Sequence, residues 1–336
     1  MRRLHRRLCT LGRASLAVSL AGPSAASRVG MVTLKIPAGL AEVTALREGD
    51  DGRTWLRELP SIVDAACRRW NCIIDGEPMH GQVALIVPVQ HPAGPAVLKV
   101  SFPHPGNLGE ADAQRTFAGS GAVRLLEADD TGLMLVLERA LPKTLADQVA
   151  QRDCSVEEAI EIAGDLALRL TVLPLPNVRP LAVTMSGWRD QLEEQIAAHP
   201  DVLPARALDQ ARETIQHLAA DQTPTMLHGD LHYRNILLSR REPWLTIDPK
   251  GWFGTAAFDA FTVAAGGREQ LSIDDGLLAA VERRVRQFAA AARVSGDLAL
   301  ACCQARAVSS YLYQLTIPRV WFDAEFLKVV ALGDDR

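Results

Sequence analysis

The chain has 336 residues, of which 48% are hydrophobic and 23% are charged, a composition typical of a globular protein rather than a disordered one. No apolar run approaches the roughly 20 residues needed to span a bilayer, so we expect no membrane partner. The net charge of −4 hides an asymmetry, because residues 1–30 hold six arginines and no acid, which leaves 30 basic against 40 acidic side chains in the rest. An acidic body disfavours nucleic acid as a partner and suits a cationic small molecule.

Residues 1–30 contain arginine pairs followed by a weakly apolar stretch, a pattern that a signal peptide also shows. Arg13 interrupts that stretch, however, and Met31 opens a plausible start, so we predict a disordered extension instead. The six cysteines have neither zinc-ligand spacing nor the pattern of a disulfide framework. This usage is typical of reduced thiols, and we expect a cytoplasmic protein, acting as a monomer.

Residues 31–140 are predicted to form a small lobe built on an antiparallel sheet. A short helix is predicted over residues 61–70, directly after Pro60. Ser61 and Asp64 are spaced as in a capping box, which supports that start. Apolar runs separated by turn formers predict strands at residues 71–75, 82–90, 96–102, 122–129 and 132–140, with one helix at 109–118.

Residues 141–336 change in character and predict a larger, mainly helical lobe. Residues 173–183 contain several prolines and are predicted to be a loop. Apolar residues recur at helical spacing elsewhere, which predicts helices at 155–173, 187–198, 205–220, 276–292 and 297–315. The expected fold class is α+β, with a small sheet-based lobe followed by a larger helical one.

The stretch LHGDLHYRNILLSRREPWLTIDPKG, residues 227–251, gathers polar side chains between short apolar runs. NILL and WLTI predict two strands joined by a turn, so a hairpin would bring Asn235 and Asp248 into one space. Amide and carboxylate oxygens are ligands that Mg²⁺ accepts, with water and phosphate oxygens completing the shell. Asp230, on the loop before the hairpin, has the chemistry to orient an attacking hydroxyl. Together these residues predict phosphoryl transfer.

HGDLHYRN followed by IDPKG resembles the catalytic and metal-binding segments of the aminoglycoside phosphotransferase family, which has a protein-kinase-like bilobal fold. Within it, REPWLTIDPKG, AVLKVSF and GAVRLLEAD are most similar to the streptomycin 6-phosphotransferase and hydroxyurea phosphotransferase subfamily. The resemblance covers roughly residues 35–315. It implies ATP-dependent transfer of the γ-phosphate to a hydroxyl of an aminoglycoside, with streptomycin as the expected acceptor and antibiotic resistance as the expected result.

The same resemblance implies roles for individual residues. Asp230 matches the catalytic aspartate, and Asn235 and Asp248 match the two magnesium ligands. Lys99, in AVLKV, matches the strand lysine that holds the α- and β-phosphates of ATP. Its side chain, among apolar neighbours, needs a partner or an anion.

The partner of Lys99 is expected on the following helix. Glu110 is the first choice and Asp112 the alternative, because the sequence does not settle the phase of that helix. Main-chain groups from Glu138 to Ala140 match the segment that meets the adenine. Asp259 matches an aspartate that steadies the catalytic loop, although a helix N-cap is an alternative role.

The acceptor is less defined than the chemistry. The segment FTVAAGGREQL lacks the leucine- and arginine-rich pattern expected of the subfamily near the acceptor pocket. Phosphorylation of hydroxyurea or of a metabolite therefore stays an alternative to phosphorylation of streptomycin. A catalytically silent nucleotide-binding scaffold is a further alternative. The acids that could bind the guanidinium groups of streptomycin are Asp274, Asp275, Glu282, Asp323 and Glu325. Two tryptophans, Trp188 and Trp252, could form walls of the acceptor pocket.

Overall fold

The computed structural model describes residues 34–271, 276–316 and 322–333. From Lys35 onward the chain forms one compact unit. The predicted extension at residues 1–30 lies outside the described residues. Within the described ranges, no helix is both long enough and apolar enough to cross a membrane.

A long N-terminal helix, α1 (Ala38–Arg69), precedes the sheet and corrects the prediction for residues 61–70. The predicted helix start at Ser61 is wrong, because α1 runs through Pro60 without ending. The conformation is interrupted instead at Gly49, whose φ of 61° makes a kink. Proline removes one helical hydrogen bond. Burial of an apolar face on either side of Pro60, formed by Trp55, Leu59, Val63 and Ala66, accompanies this helical path.

The predicted antiparallel meander is present. Its strands are β1 (Ile73–Ile74), β2 (Met79–His80), β3 (Ala84–His91), β4 (Gly94–Ser101), β5 (Leu125–Ala128) and β6 (Met134–Glu138). They pair in the order β1-β3-β4-β6-β5, and β2 joins β3. Lys99 lies on the central strand β4, opposite Ile86 on one side and Leu135 on the other. It therefore lies in the interior of the sheet, with a paired strand on each side.

Helix α2 (Glu110–Phe117) packs against this sheet, as predicted from residues 109–118. Its Ala111 joins Leu135 and Leu137 of β6 in a small apolar core. Leu245, from the later hairpin, completes the same core. The sheet and the catalytic segment thus share buried apolar surface, which contributes to holding them together.

The rest of the chain is mainly helical, as expected. Its helices are α3 (Leu145–Ala150), α4 (Val156–Arg169), α5 (Leu181–Ala198), α6 (Ala205–Ala219), α7 (Ala260–Ala264), α8 (Leu277–Ala292), α9 (Gly296–Thr316) and α10 (Ala324–Leu332). Helix α4 begins with a capping box, in which Ser155 and Glu158 bond each other's backbone N–H. Helix α5 begins six residues before the prediction, because Pro180 serves as its N-cap and not as part of a longer loop.

Five short strands complete the fold and frame the motif. A three-stranded sheet pairs β11 (Trp252–Phe253) with both β7 (Arg179–Pro180) and β8 (Met226–Leu227). The predicted hairpin is formed by β9 (Ile236–Leu238) and β10 (Trp244–Thr246), with Thr246 opposite Ile236.

Candidate active site

The loop at residues 228–235 carries the proposed catalytic aspartate. It leaves β8 and closes with a 3₁₀ turn, Tyr233–Asn235, that leads into β9. The Asn235 side-chain amide donates to the backbone carbonyl of Asp230 at 3.0 Å. Its nitrogen is thereby engaged, and its oxygen is the atom that remains for a cation.

Asp248 follows β10 and reaches the same place. The N–H of Ile247 donates to the carbonyl of Asn235 at 2.9 Å, so the ends of the two hairpin strands are joined directly. Asp248 has a φ of 60°, in the left-handed region, where an aspartate is more tolerated than most residues. The hairpin therefore places Asn235 beside Ile247, the neighbour of Asp248, and their joint role as magnesium ligands stays a prediction.

Lys99 connects the sheet to this loop. Its Nζ lies 2.5 Å from Glu110 Oε2 and 2.8 Å from Asp248 Oδ1. Glu110 is therefore its partner, and the alternative Asp112 pairs with Arg115 instead, at 2.8 Å. Burial by itself would lower the pKa of Lys99, but the two carboxylates outweigh it and hold that pKa above its ordinary value.

The two aspartates are held ionised by neighbouring cations. Burial would raise the pKa of Asp248, but Lys99 and Lys250 outweigh it, and the pKa lies well below its ordinary value. The pKa of Asp230 is lowered as well, against burial, chiefly by Lys250. An ionised carboxylate and an amide oxygen are donors that a hard divalent cation accepts, so Asp248 and Asn235 fit Mg²⁺.

Asp259 steadies the catalytic loop. Its carboxylate is fully buried and accepts backbone N–H groups of His228 and Gly229, each at 3.2 Å, and of Leu231 at 3.3 Å. It occupies the N-cap position of α7, but its side chain accepts no capping hydrogen bond from that helix and is directed to the loop instead. Burial raises the pKa of Asp259 to about 6.

His228 fixes the loop from its other side. Its Nε2 donates to the carbonyl of Ile247 at 2.9 Å, and its Nδ1 accepts the N–H of Asp230 at 3.2 Å. This pairing requires the Nε2–H tautomer. Burial lowers the pKa of His228 to about 4, so the ring is neutral at physiological pH and positions Asp230 without adding charge.

Residues 69–315 match the model of a family described as aminoglycoside/hydroxyurea antibiotic resistance kinase. The chain belongs to this family. The match includes the sheet, the Lys99–Glu110 pair and the catalytic hairpin, so the geometry above is that of a kinase in the aminoglycoside/hydroxyurea group.

Two curated relatives illustrate the range of the family. Streptomycin 6-kinase of Streptomyces glaucescens is 31% identical over 75% of this chain and 81% of its own length. Hydroxyurea phosphotransferase of Kitasatospora aureofaciens is 34% identical over 76% of this chain and 74% of its own.

Solved structures show the protein-kinase-like fold. A thermostable mutant of aminoglycoside phosphotransferase APH(4)-Ia superposes with a TM-score of 0.52 and 15% identity, over 80% of this chain and 96% of that one. A choline/ethanolamine kinase family protein from Mesorhizobium loti gives a TM-score of 0.51 and 17% identity, over 79% of this chain and 90% of that one. At these identities the likeness concerns the fold alone.

In this family member, the segment expected to meet the adenine leaves β6. The backbone N–H of Glu138 donates to Arg124, and its side chain is bound by Arg241 from the β9–β10 turn. Arg241 also donates to the carbonyls of Gly119 and Ala122, at 2.7 and 2.8 Å. Glu138 therefore ties the sheet to the hairpin through its side chain. Contact with adenine from Glu138 and Ala140 stays a prediction.

An aromatic group lies beside the catalytic loop of this kinase. Phe258 packs edge-on against both Trp188 and Trp252, with ring centres 5.9 and 6.0 Å apart. The guanidinium of Arg306 lies over Phe258, 4.6 Å from the ring centre. Both predicted tryptophans are thus members of one half-buried cluster. Because Arg306 also lowers the pKa of Asp230, it adds positive charge near the acceptor side.

The predicted acceptor acids have different settings in the structure. Asp274 and Asp275 lie outside the described residues. Asp323 caps α10 by accepting the N–H groups of Glu325 and Phe326, at 3.0 and 3.1 Å. Glu282 lines a separate cavity of about 710 Å³ between α6, α8 and α9. Their role in binding a cation stays a prediction.

Lys250 is the site residue that sequence reasoning missed. Its Nζ lies 3.3 Å from Asp230 Oδ2 and 3.5 Å from Asp248 Oδ2. The signal was present in the sequence, because Lys250 comes two residues after Asp248, close enough for its side chain to reach that carboxylate.

Proposed function

We propose that this protein is an ATP-dependent phosphotransferase that moves the γ-phosphoryl group to a hydroxyl of an aminoglycoside, with streptomycin as the first acceptor to test. The observation that carries the proposal is the cluster at Asp248, which joins Lys99 of the sheet and Glu110 of α2 to Asp230 of the loop through Lys250. Phosphoryl transfer depends on positioning and charge neutralisation rather than on covalent chemistry by the protein, and this cluster supplies both.

Each residue of the cluster has a part in the proposed reaction. Lys99, oriented by Glu110, contacts the inner phosphates of ATP, while main-chain groups of Glu138 and Ala140 meet the adenine. Asn235 and Asp248 would hold Mg²⁺, which supplies charge neutralisation on the phosphates when bound. Asp230 orients the acceptor hydroxyl for in-line attack and accepts its proton.

The lobes at residues 31–140 and 141–336 are the proposed nucleotide-binding and acceptor-binding parts. The acidic body of the chain and the name of the Streptomyces glaucescens relative favour a cationic acceptor. We propose a cytoplasmic monomer that needs neither nucleic acid nor membrane.

A second acceptor, hydroxyurea, is supported by the relative from Kitasatospora aureofaciens, which is 34% identical. Arg306 favours hydroxyurea too, since its positive charge near Asp230 disfavours an acceptor with two guanidinium groups, such as streptomycin.

The test is ADP release by the purified protein with Mg²⁺ and ATP in the presence of streptomycin, hydroxyurea or a second aminoglycoside. Mass spectrometry should find one added phosphate on the accepted compound. Phosphorylated hydroxyurea without phosphorylated streptomycin would select the second candidate. If none of the acceptors stimulates ADP release, both candidate functions are refuted.

Two variants separate the proposed roles. Asp230→Asn should lower kcat by roughly 1,000-fold while leaving ATP affinity nearly unchanged, because orientation of the acceptor acts on the chemical step. Asp248→Asn should weaken Mg²⁺-dependent binding of ATP, measured by calorimetry. Asp112→Asn removes the same charge from a surface ion pair and is the matched control.

A further inference from the structure

The strongest unassigned feature near the site is the position of Lys250 between two carboxylates. Lys99 occupies Oδ1 of Asp248, and Lys250 approaches Oδ2 of the same group. Lys250 also reaches Asp230 Oδ2 at 3.3 Å. With Glu110 included, the cluster holds two lysines against three carboxylates, so Lys250 is needed to keep its net charge near −1.

The backbone at Lys250 is held on both sides. Its N–H donates to the carbonyl of His228 at 2.8 Å, which ties it to the catalytic loop. Gly229 faces it so closely that a Cβ there would lie 2.9 Å from the Lys250 Cβ. On the next residue, a Cβ at Gly251 would lie 2.2 Å from the carbonyl oxygen of Gly109. These contacts leave little freedom to the stem of Lys250.

The place that Lys250 reaches is where the phosphoryl group must pass. In the proposed reaction the acceptor hydroxyl lies at Asp230, and the phosphates of ATP are held at Asp248. The phosphorus in transit lies between them, and Lys250 Nζ contacts both carboxylates. A cation at that point meets the charge that develops on the oxygens of the transferred group.

We propose that Lys250 contacts the γ-phosphoryl group during transfer and stabilises its negative charge, a role distinct from that of Lys99. The inference rests on the proposed phosphotransferase function. In this step a bond forms between the acceptor oxygen and the γ-phosphorus, and the bond from that phosphorus to the β,γ-bridging oxygen breaks. ADP leaves with that electron pair, and the hydroxyl proton passes to Asp230.

The competing account is that Lys250 only fills the site until the cation and nucleotide arrive. The two accounts differ in what removal of the charge does. A stabilising lysine is needed in the transition state, so its loss lowers kcat. A lysine that merely occupies the site competes with the ligands, so its loss tightens nucleotide binding and spares kcat.

The experiment compares Lys250→Gln and Lys250→Arg with Lys328→Gln, which removes an exposed charge on α10. Circular dichroism first checks that each variant is folded. Calorimetry then measures the affinity for AMP-PNP, for ADP, and for ADP with aluminium fluoride as a mimic of the transferring group, all with Mg²⁺. Turnover is measured with the acceptor that the wild type accepts.

For Lys250→Gln, kcat should fall roughly 100-fold or more. The gain in ADP affinity on adding aluminium fluoride should disappear, while affinity for AMP-PNP changes by less than about threefold. Lys250→Arg should restore part of both losses, and Lys328→Gln should behave as the wild type.

Wild-type kcat in Lys250→Gln, or an unchanged gain from aluminium fluoride, would overturn the inference. Tighter AMP-PNP binding with wild-type kcat would establish the competing account. A wild type that turns over no acceptor refutes the proposed function and the inference together, whereas failure of the inference alone leaves wild-type turnover intact.

Discussion

Replacing Asp259 by asparagine should lower kcat strongly while changing the free energy of unfolding little, because the buried carboxylate positions the catalytic loop. It is fully buried and accepts N–H groups of His228, Gly229 and Leu231. Burial raises its pKa from 3.8 to about 6. The shift of about 2 units means that the ionised form costs roughly 3 kcal/mol of folding free energy at pH 7.

The asparagine has nearly the same shape and no charge. It recovers that roughly 3 kcal/mol but turns an NH₂ group towards at least one backbone N–H, which costs about 1–3 kcal/mol. The two terms nearly cancel, so Asp259→Asn should change the free energy of unfolding at pH 7 by less than about 2 kcal/mol. The loop, however, loses an acceptor that held it, and kcat should fall by roughly 100-fold as Asp230 moves.

The effect of Asp259→Asn on folding stability should depend on pH, in a direction that the raised pKa of Asp259 fixes. An aspartate whose folded pKa is raised contributes stability below its unfolded pKa, near 4, and loses it as the pH rises to about 6. The stability of the variant relative to the wild type should therefore improve by roughly 3 kcal/mol between pH 4 and pH 7.

Urea unfolding at both pH values, together with ADP release at pH 7, provides the assay. If the difference in stability does not depend on pH, the pKa argument is wrong. If kcat is unchanged, Asp259 does not position the loop. A loss of more than about 4 kcal/mol at pH 7 would mean that the three hydrogen bonds outweigh the burial of charge.

Three further predictions follow from the same contacts. Gly251→Ala should lower stability by at least about 2 kcal/mol in urea unfolding, because Gly251 has a φ of 71° and its Cβ would lie 2.2 Å from Gly109; an unchanged midpoint would contradict the close approach. Arg241→Met should cost roughly 2–3 kcal/mol, because it removes the guanidinium that donates to Glu138 and to two carbonyls and leaves Glu138 only the N–H of Arg124. A loss under about 0.5 kcal/mol in the same assay would show that this tie is not stabilising. The wild type should lose roughly 3 kcal/mol of unfolding free energy as the pH falls from about 6.5 to about 4, because the folded protein resists protonation of the buried His228 ring. His228→Gln should remove this loss, and parallel pH–stability curves for variant and wild type would refute the prediction.

The chemistry of the site followed from the sequence because its residues are close along the chain. Asn235 and Asp248 flank a hairpin whose strands are visible as two short apolar runs, and local pairing was enough to bring them together. Contacts between distant segments were harder. The prediction at Ser61 failed because local signals at Pro60 were outweighed by packing of Leu59 and Val63 on either side.

The sequence by itself determined the reaction class, through the order of Asp230, Asn235 and Asp248 and an apolar strand around Lys99. Only the tertiary structure decided which groups meet across the chain. It chose Glu110 over Asp112, since two residues on a helix lie on roughly opposite faces and only Glu110 faces Lys99 on β4. It assigned Asp259 to the loop, and it placed Lys250 against two aspartates. The physical reason is that ion pairs form by distance in space, which local sequence patterns do not specify.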